Sequence, residues 1–112
     1  MPGEAADRVL SVYVTAADAE EARRIGRALV EENLAACVNV LPGHTAIYRW
    51  QGKLEEGAEG AFLAKTTAGR FDALRARIRA LHSYDLPCIV AFPAETGDAE
   101  FLNWVRAGVR AW

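Results

Sequence analysis

Two residue types in this chain can hold a soft or borderline metal, and each occurs twice: cysteine at 37 and 88, histidine at 44 and 82. Cys37 offers a thiol that, as thiolate, could bind Cu(I) or a similar ion. It also suits the ordinary role of a free cysteine, a small apolar filler in a strand. His82 offers a neutral imidazole nitrogen for a metal or a proton. It stands at the end of a helical pattern, where a cation complementing the helix dipole is worth about 0.3–1 kcal/mol. His44 sits beside a turn without a liganding neighbour and is expected in solvent. The second chemical cluster is aromatic. Tyr48 and Trp50 alternate on a strand, so they share a face about 7 Å apart. With Tyr84 they could line a pocket for a small molecule. Contact with another copy of the chain is the favoured role, because aromatic anchors dominate interface energetics. Lys65, near the end of a central strand, could bind an anion, but an ion pair with Glu59 or Asp85 is the commoner outcome.

The elements that must position these residues alternate. Val9 to Thr15 is short, β-branched and apolar, as for a strand covered on at least one face. Asp18 offers an N-cap with Glu21 three residues on, a form of capping box. Ala22, Ile25, Leu29 and Val30 then give the inward side of a helix that Asn33 ends in a left-handed conformation. Leu34 to Leu41 reads as a second strand, with Cys37 and Asn39 on one face. Pro42-Gly43 bends the chain, Thr45 to Trp50 resumes it, and Gln51-Gly52 turns it back. Gly60 to Thr66 reads as the third strand. Phe71, Leu74, Ile78 and Leu81 stripe a helix from Arg70 to His82. Cys88 to Phe92 follows Pro87 as a fourth strand. Asp98 caps a terminal helix to about Val109, with Phe101, Leu102, Val105 and Val109 inward.

The order β-α-β-β-α-β plus a helix, with right-handed crossovers, predicts an α+β fold: a ferredoxin-like plait with an extended hairpin and an added C-terminal helix. One domain is expected over residues 1–112, with 1–7 a flexible N-terminus. The second and fourth strands should lie at opposite edges, too far apart for a Cys37–Cys88 disulfide. Helices on one face would leave the other bare, carrying Phe62, Ala64 and Val12 or Tyr13, and such a surface invites association.

Composition excludes several classes. Apolar residues are 52% and charged residues 25%, as in an ordinary globular protein, and the net charge of −2 gives no basic excess for phosphate contacts. No apolar run approaches the roughly 20 residues of a membrane helix, and no leader pattern precedes Arg8, so a cytoplasmic location is expected.

Ala35-Ala36-Cys37-Val38-Asn39, Pro42-Gly43, Ile47-Tyr48-Arg49-Trp50-Gln51-Gly52-Lys53, Lys65-Thr66, His82-Ser83-Tyr84 with Pro87, and Phe101-Leu102-Asn103-Trp104 occur in that order. Together they resemble the CutA family of divalent-cation-tolerance proteins from about Val9 to Val105. The resemblance implies a homotrimer of ferredoxin-like sheets joined edge to edge, with the long hairpin reaching a neighbour. It also implies a likeness to PII signalling proteins and a link to copper or another divalent cation, with acetylcholinesterase anchoring in animal members. Tyr48, Trp50, Lys65, Tyr84 and Trp104 are then the expected inter-subunit set, and His82 and Cys37 the metal candidates. The family's His-Pro-Tyr motif has Ser83 in place of proline. Family members with a proposed copper site carry a cysteine and a second histidine where this chain has Val14 and Leu81, so that site is absent or weakened.

An enzyme reading finds no glycine-rich phosphate loop and no nucleophile with a histidine and carboxylate at motif positions. An acylphosphatase-type site would need an arginine cradled by a glycine-rich first loop, and Thr15 to Asp18 has neither. The adjacent pairs Glu20-Glu21, Glu31-Glu32 and Glu55-Glu56 read as solvated surface. Gly60-Ala61-Phe62-Leu63 faintly echoes an RNA-binding strand, but Glu59 flanks it and no nucleic-acid partner is expected.

Overall fold

The computed structural model describes residues 5–110. The elements are β1 (Val9–Ala16), α1 (Ala19–Glu31), β2 (Cys37–Trp50), β3 (Lys53–Thr67), a 3-10 turn (Ala68–Arg70), α2 (Phe71–Leu81), β4 (Ile89–Pro93) and α3 (Ala99–Gly108). Four strands form one antiparallel sheet in the order β2-β3-β1-β4. The caps act as the side chains dictate: Asp18 Oδ1 accepts from the Glu21 N–H, Asp98 Oδ2 accepts from the Phe101 N–H, and Asn33 ends α1 at φ 58°.

The core follows from side-chain parity along the strands. Val12 pairs with Ala64 and Ala91, and Val14 with Phe62 and Ile89, on the face covered by Ala22, Ile25 and Leu29 of α1 and Leu74 and Ile78 of α2. The expectation that Phe62, Ala64 and Val12 lie on a bare face is therefore wrong; all three are fully buried under the helices. Phe62 consequently has no ring surface to offer a base. Tyr13, of opposite parity, is the member of that set on the open face, beside Leu63. A continuously apolar strand such as β1 gives no alternation from which to read its faces. Two helical assignments also change. Val30 lies one 100° step beyond the Ala22–Ile25–Leu29 stripe and is exposed, and Phe101 is exposed against Trp104 while Val105 and Val109 are buried.

The largest departure is the hairpin. The second strand is continuous through Pro42 and Gly43, and the third begins at Lys53 rather than Gly60, giving strands of 14 and 15 residues. Between Leu41–Ala61 and His44–Glu59 the register shifts, so Pro42 and Gly43 together oppose Gly60. This is a one-residue bulge, where the prolyl nitrogen costs the ladder least. It has a large effect on side-chain direction. Cys37, Asn39 and Leu41 share the open face with Lys65, Leu63 and Ala61; beyond the bulge the even-numbered His44, Ala46, Tyr48 and Trp50 take over that face. Gln51 and Gly52, at φ 50° and 81°, close the hairpin as a two-residue turn of the kind whose twist matches paired strands.

β1 reaches β3 only as far as Ala16–Gly60, so the hairpin beyond Gly60 is a two-stranded arm. Seven residue pairs at about 3.3 Å each make it roughly 23 Å long. It accounts for the elongated 45 × 24 × 23 Å shape. Gly60, at its root, admits no side chain: a Cβ there would stand 2.4 Å from the Asp18 backbone at the start of α1. At the other end of the molecule, Arg106 donates to the Asp7 carbonyl at 2.8 Å and the Ala68 N–H to that of Arg8. The rest of the expected flexible N-terminus, residues 1–4, lies outside the described residues.

Candidate functional site

The open face of the sheet meets the segment after α2 at a cleft, and a chain of hydrogen bonds fixes that segment. His82 leaves the helix with extended backbone (φ −79°, ψ 143°), and its side chain is wholly buried. Its Nε2 donates to the Thr15 carbonyl at 2.7 Å, while Nδ1 accepts the Tyr84 N–H at 3.0 Å. These two bonds specify the neutral ring with its proton on Nε2. Glu21, taken from the sequence as solvated, is instead buried to 8% exposure. Its Oε1 accepts from the Ala17 N–H at 2.9 Å and the Ser83 hydroxyl at 3.0 Å, and its Oε2 from the Ser83 N–H at 3.0 Å. Burial pushes the Glu21 carboxyl up, but these donors outweigh it and hold the group below the usual carboxylate range. Ser83, where the resembling motif has proline, thus supplies two donors that proline lacks.

The anchored turn delivers Tyr84 to the cleft. Its hydroxyl donates to Glu59 Oε2 at 2.8 Å, and His44 Nε2 lies 3.3 Å from Glu59 Oε1. Burial first, and the Glu59 carboxylate second, push the Tyr84 phenol well above its ordinary range, so it remains a donor. The Glu59 side chain is only 12% exposed. His44 is therefore half-buried beside a carboxylate, not a solvated group without a neighbour. Around this centre lies a cleft of about 600 Å³, walled by Tyr48, Trp50 and Ile47 of the arm, Tyr13 of β1, and Tyr84 to Leu86.

The structure gathers only part of the expected site. Tyr48, Trp50 and Tyr84 do come together. Lys65 does not join them, nor does it pair with Glu59 or Asp85; its Nζ donates to Asn39 Oδ1 at 2.6 Å. Six residues of β3 separate Lys65 from Glu59, roughly 20 Å along the strand. Trp104 stacks on Phe101 at 5.7 Å on α3, away from the cleft lining. Cys37 pairs in register with Lys65, four residue rows from Leu41, whose row includes the Thr15 that His82 contacts. The two metal candidates are thus separated by about 13 Å along the sheet. Both cysteines are free; Cys37 opens the edge strand β2, and Cys88, expected within the fourth strand, immediately precedes the opposite edge strand β4.

These residues do not fit a resident metal. Both ring nitrogens of His82 are committed to backbone partners, so neither presents a lone pair. Val14 is fully buried in the core and Leu81 packs against it, leaving apolar groups at the positions associated with copper. Among the described residues, no cluster of three or more His, Cys, Asp or Glu could hold an ion. Glu21 and Glu59 are the residues of this candidate site that sequence reasoning missed. The capping position of Glu21 was a signal for its burial. Glu59 carried only its place before a glycine at the edge of an apolar strand.

Comparison with known proteins places this architecture. The family model described as CutA1 divalent ion tolerance protein matches residues 10–108. The chain belongs to the CutA family. Among CutA relatives, the divalent-cation tolerance protein CutA of Thermus thermophilus is 52% identical over 95 residues, covering 85% of this chain and 92% of that protein. The Archaeoglobus fulgidus CutA is 45% identical over 94 residues, covering 84% and 91%. The solved Thermus thermophilus structure superposes with a TM-score of 0.88 at 48% identity, covering 91% of this chain and 99% of that one. The Archaeoglobus structure, described as a periplasmic divalent cation tolerance protein, also gives 0.88, at 41% identity and the same coverages. The CutA fold is thus the α+β arrangement seen here, a four-stranded antiparallel sheet with three helices.

Proposed function

We propose that the chain is a non-enzymatic, homotrimeric CutA protein serving tolerance of or response to divalent metal ions, copper among them, as a sensor or adaptor rather than through a resident metal. Family membership supports the link to divalent cations, and the committed ring nitrogens of His82 together with its separation from Cys37 support the indirect role. The observation that carries the assembly is the bare arm. Ile47, Tyr48, Trp50 and Leu54 expose 64%, 48%, 43% and 69% of their surface on a ribbon with no third strand. An isolated two-stranded hairpin is marginal in water, and apolar surface of this kind calls for a cover. A neighbouring copy is the reading adopted: the strand order supports the ferredoxin-like plait, and its two free edges, on β2 and β4, would meet between subunits. Tyr48, Trp50, Lys65, Tyr84 and Trp104 would then lie at or near the seams. Free Cys37 and Cys88 suit a reducing, cytoplasmic setting, against which the periplasmic description of the Archaeoglobus relative stands as the contrary reading. No helix among the described residues is long and apolar enough to cross a membrane.

Sedimentation velocity over a dilution series tests the assembly. A species of three chains is expected at micromolar concentration, and stable single chains would overturn the reading. A second reading, favoured by the cleft, is a PII-like regulatory module that binds a small molecule at the inter-subunit clefts.

A further inference from the structure

The geometry points to a small organic cation, an alkylammonium or quaternary ammonium ion, as the ligand of this cleft. The inference deepens the second reading above and rests on the cleft being a ligand site. Its walls present aromatic rings from three directions: Tyr13 from the sheet, Tyr48 and Trp50 from the arm, and Tyr84 from the anchored turn. Ring faces attract a cation, most strongly where water is excluded. The charged groups lining the cleft are the carboxylates Glu59 and Asp85, with His44 beside Glu59 and no lysine or arginine. Glu55, the register partner of Tyr48, adds a third carboxylate on the same face of the arm, while Lys53 pairs with Trp50 only at the tip.

Glu59 makes the argument specific. A carboxylate this buried is costly unless a cation or several donors compensate it. It receives one hydroxyl, from Tyr84, and one ring nitrogen, from His44, and among the described residues no lysine or arginine bridges to it. A carboxylate has about four acceptor sites, so capacity for further donors remains on the cleft side. A phosphate or carboxylate ligand would meet like charge. A neutral apolar ligand would leave the remaining acceptor sites of Glu59 unfilled. An ammonium ion satisfies both the carboxylate and the rings, and a cleft of about 600 Å³ lies within the usual range for small-molecule sites.

Isothermal titration calorimetry of the whole protein with tetramethylammonium chloride, at constant ionic strength, tests this, with tert-butanol as the uncharged analogue of similar shape. Saturable binding with a Kd of about 1 mM or tighter is expected, with tert-butanol at least about tenfold weaker. Glu59→Gln should weaken the cation by about tenfold and leave tert-butanol unchanged. The charged-to-neutral ratio in the unsubstituted protein needs no variant, so it decides the matter even if Glu59→Gln does not fold. Equal binding of the two probes, or no saturable binding of tetramethylammonium, overturns the inference. Sedimentation of the same samples separates it from the assembly reading. A trimer that takes no cation sinks the ligand class alone, including the case where a lysine or arginine of a neighbouring copy fills the cleft. Single chains that bind tetramethylammonium sink the trimer alone.

Discussion

At the scale of single residues, two side chains act as internal fasteners where the sequence suggested surface or metal chemistry. Glu21 holds Ala17 and Ser83 together through both carboxylate oxygens. Its native pKa is depressed, so its contribution is complete above the unfolded value of about 4.3 and is lost as pH falls through the lower native value. Glu21→Gln should therefore be less stable than the parent at neutral pH by about 1.5–3 kcal/mol. The gap should close as the pH falls through the depressed native value. Urea unfolding at neutral and acid pH checks the sign; a gap that persists undiminished in acid would show that the charge is irrelevant. His82→Ala leaves the Thr15 carbonyl and the Tyr84 N–H without their partner, at an expected cost of about 1–3 kcal/mol. Copper titrated into His82→Ala and Cys37→Ser should bind as weakly as to the parent. A clear loss of affinity in either would restore the metal role.

At the scale of elements, the bulge at Pro42-Gly43 and the close approach at Gly60 set the arm. The bulge changes which parity of β2 faces the cleft, so removing Gly43 should turn Tyr48 and Trp50 to the opposite side of the sheet. The expected result is loss of assembly with the core retained, seen as single chains in sedimentation with far-ultraviolet dichroism preserved. Unaltered assembly would show that the parity of the arm is unimportant. Gly60→Ala forces a methyl group against the Asp18 backbone, where no flexible side chain can yield. Overpacking of this kind costs about 1–3 kcal/mol, measurable by thermal unfolding. An unchanged Tm would mean that α1 can shift away from β3 without loss.

At the scale of the molecule, the protein joins a well-covered core to an under-covered arm. Ala22, Ile25, Leu29, Leu74 and Ile78 seal one face of the sheet, while Val90, Phe92 and Leu86 on the other side expose 45%, 55% and 66% of their surface. Trp50→Ala removes the largest aromatic of the arm. It should loosen the proposed trimer, lowering its mass in light scattering at micromolar protein. A Trp50→Ala protein that stays trimeric and equally heat-stable would remove the aromatic anchor from the account.

The sequence by itself determined the element order, both aspartate caps, the left-handed Asn33, the Gln51-Gly52 turn and the family, because each depends on local chemistry or on motifs readable in line. It also placed Tyr48, Trp50 and Tyr84 together. Tertiary structure alone decided which face of β1 and β3 the helices cover, since an apolar strand without alternation carries no such information. It alone decided where Glu21, Glu59 and His82 place their long-range hydrogen bonds, because His44, Tyr84, Ser83 and Thr15 stand 15 to 67 residues from the groups they meet. A charged or polar side chain reads as solvated until the fold brings a distant donor to it, and only then does burial become affordable.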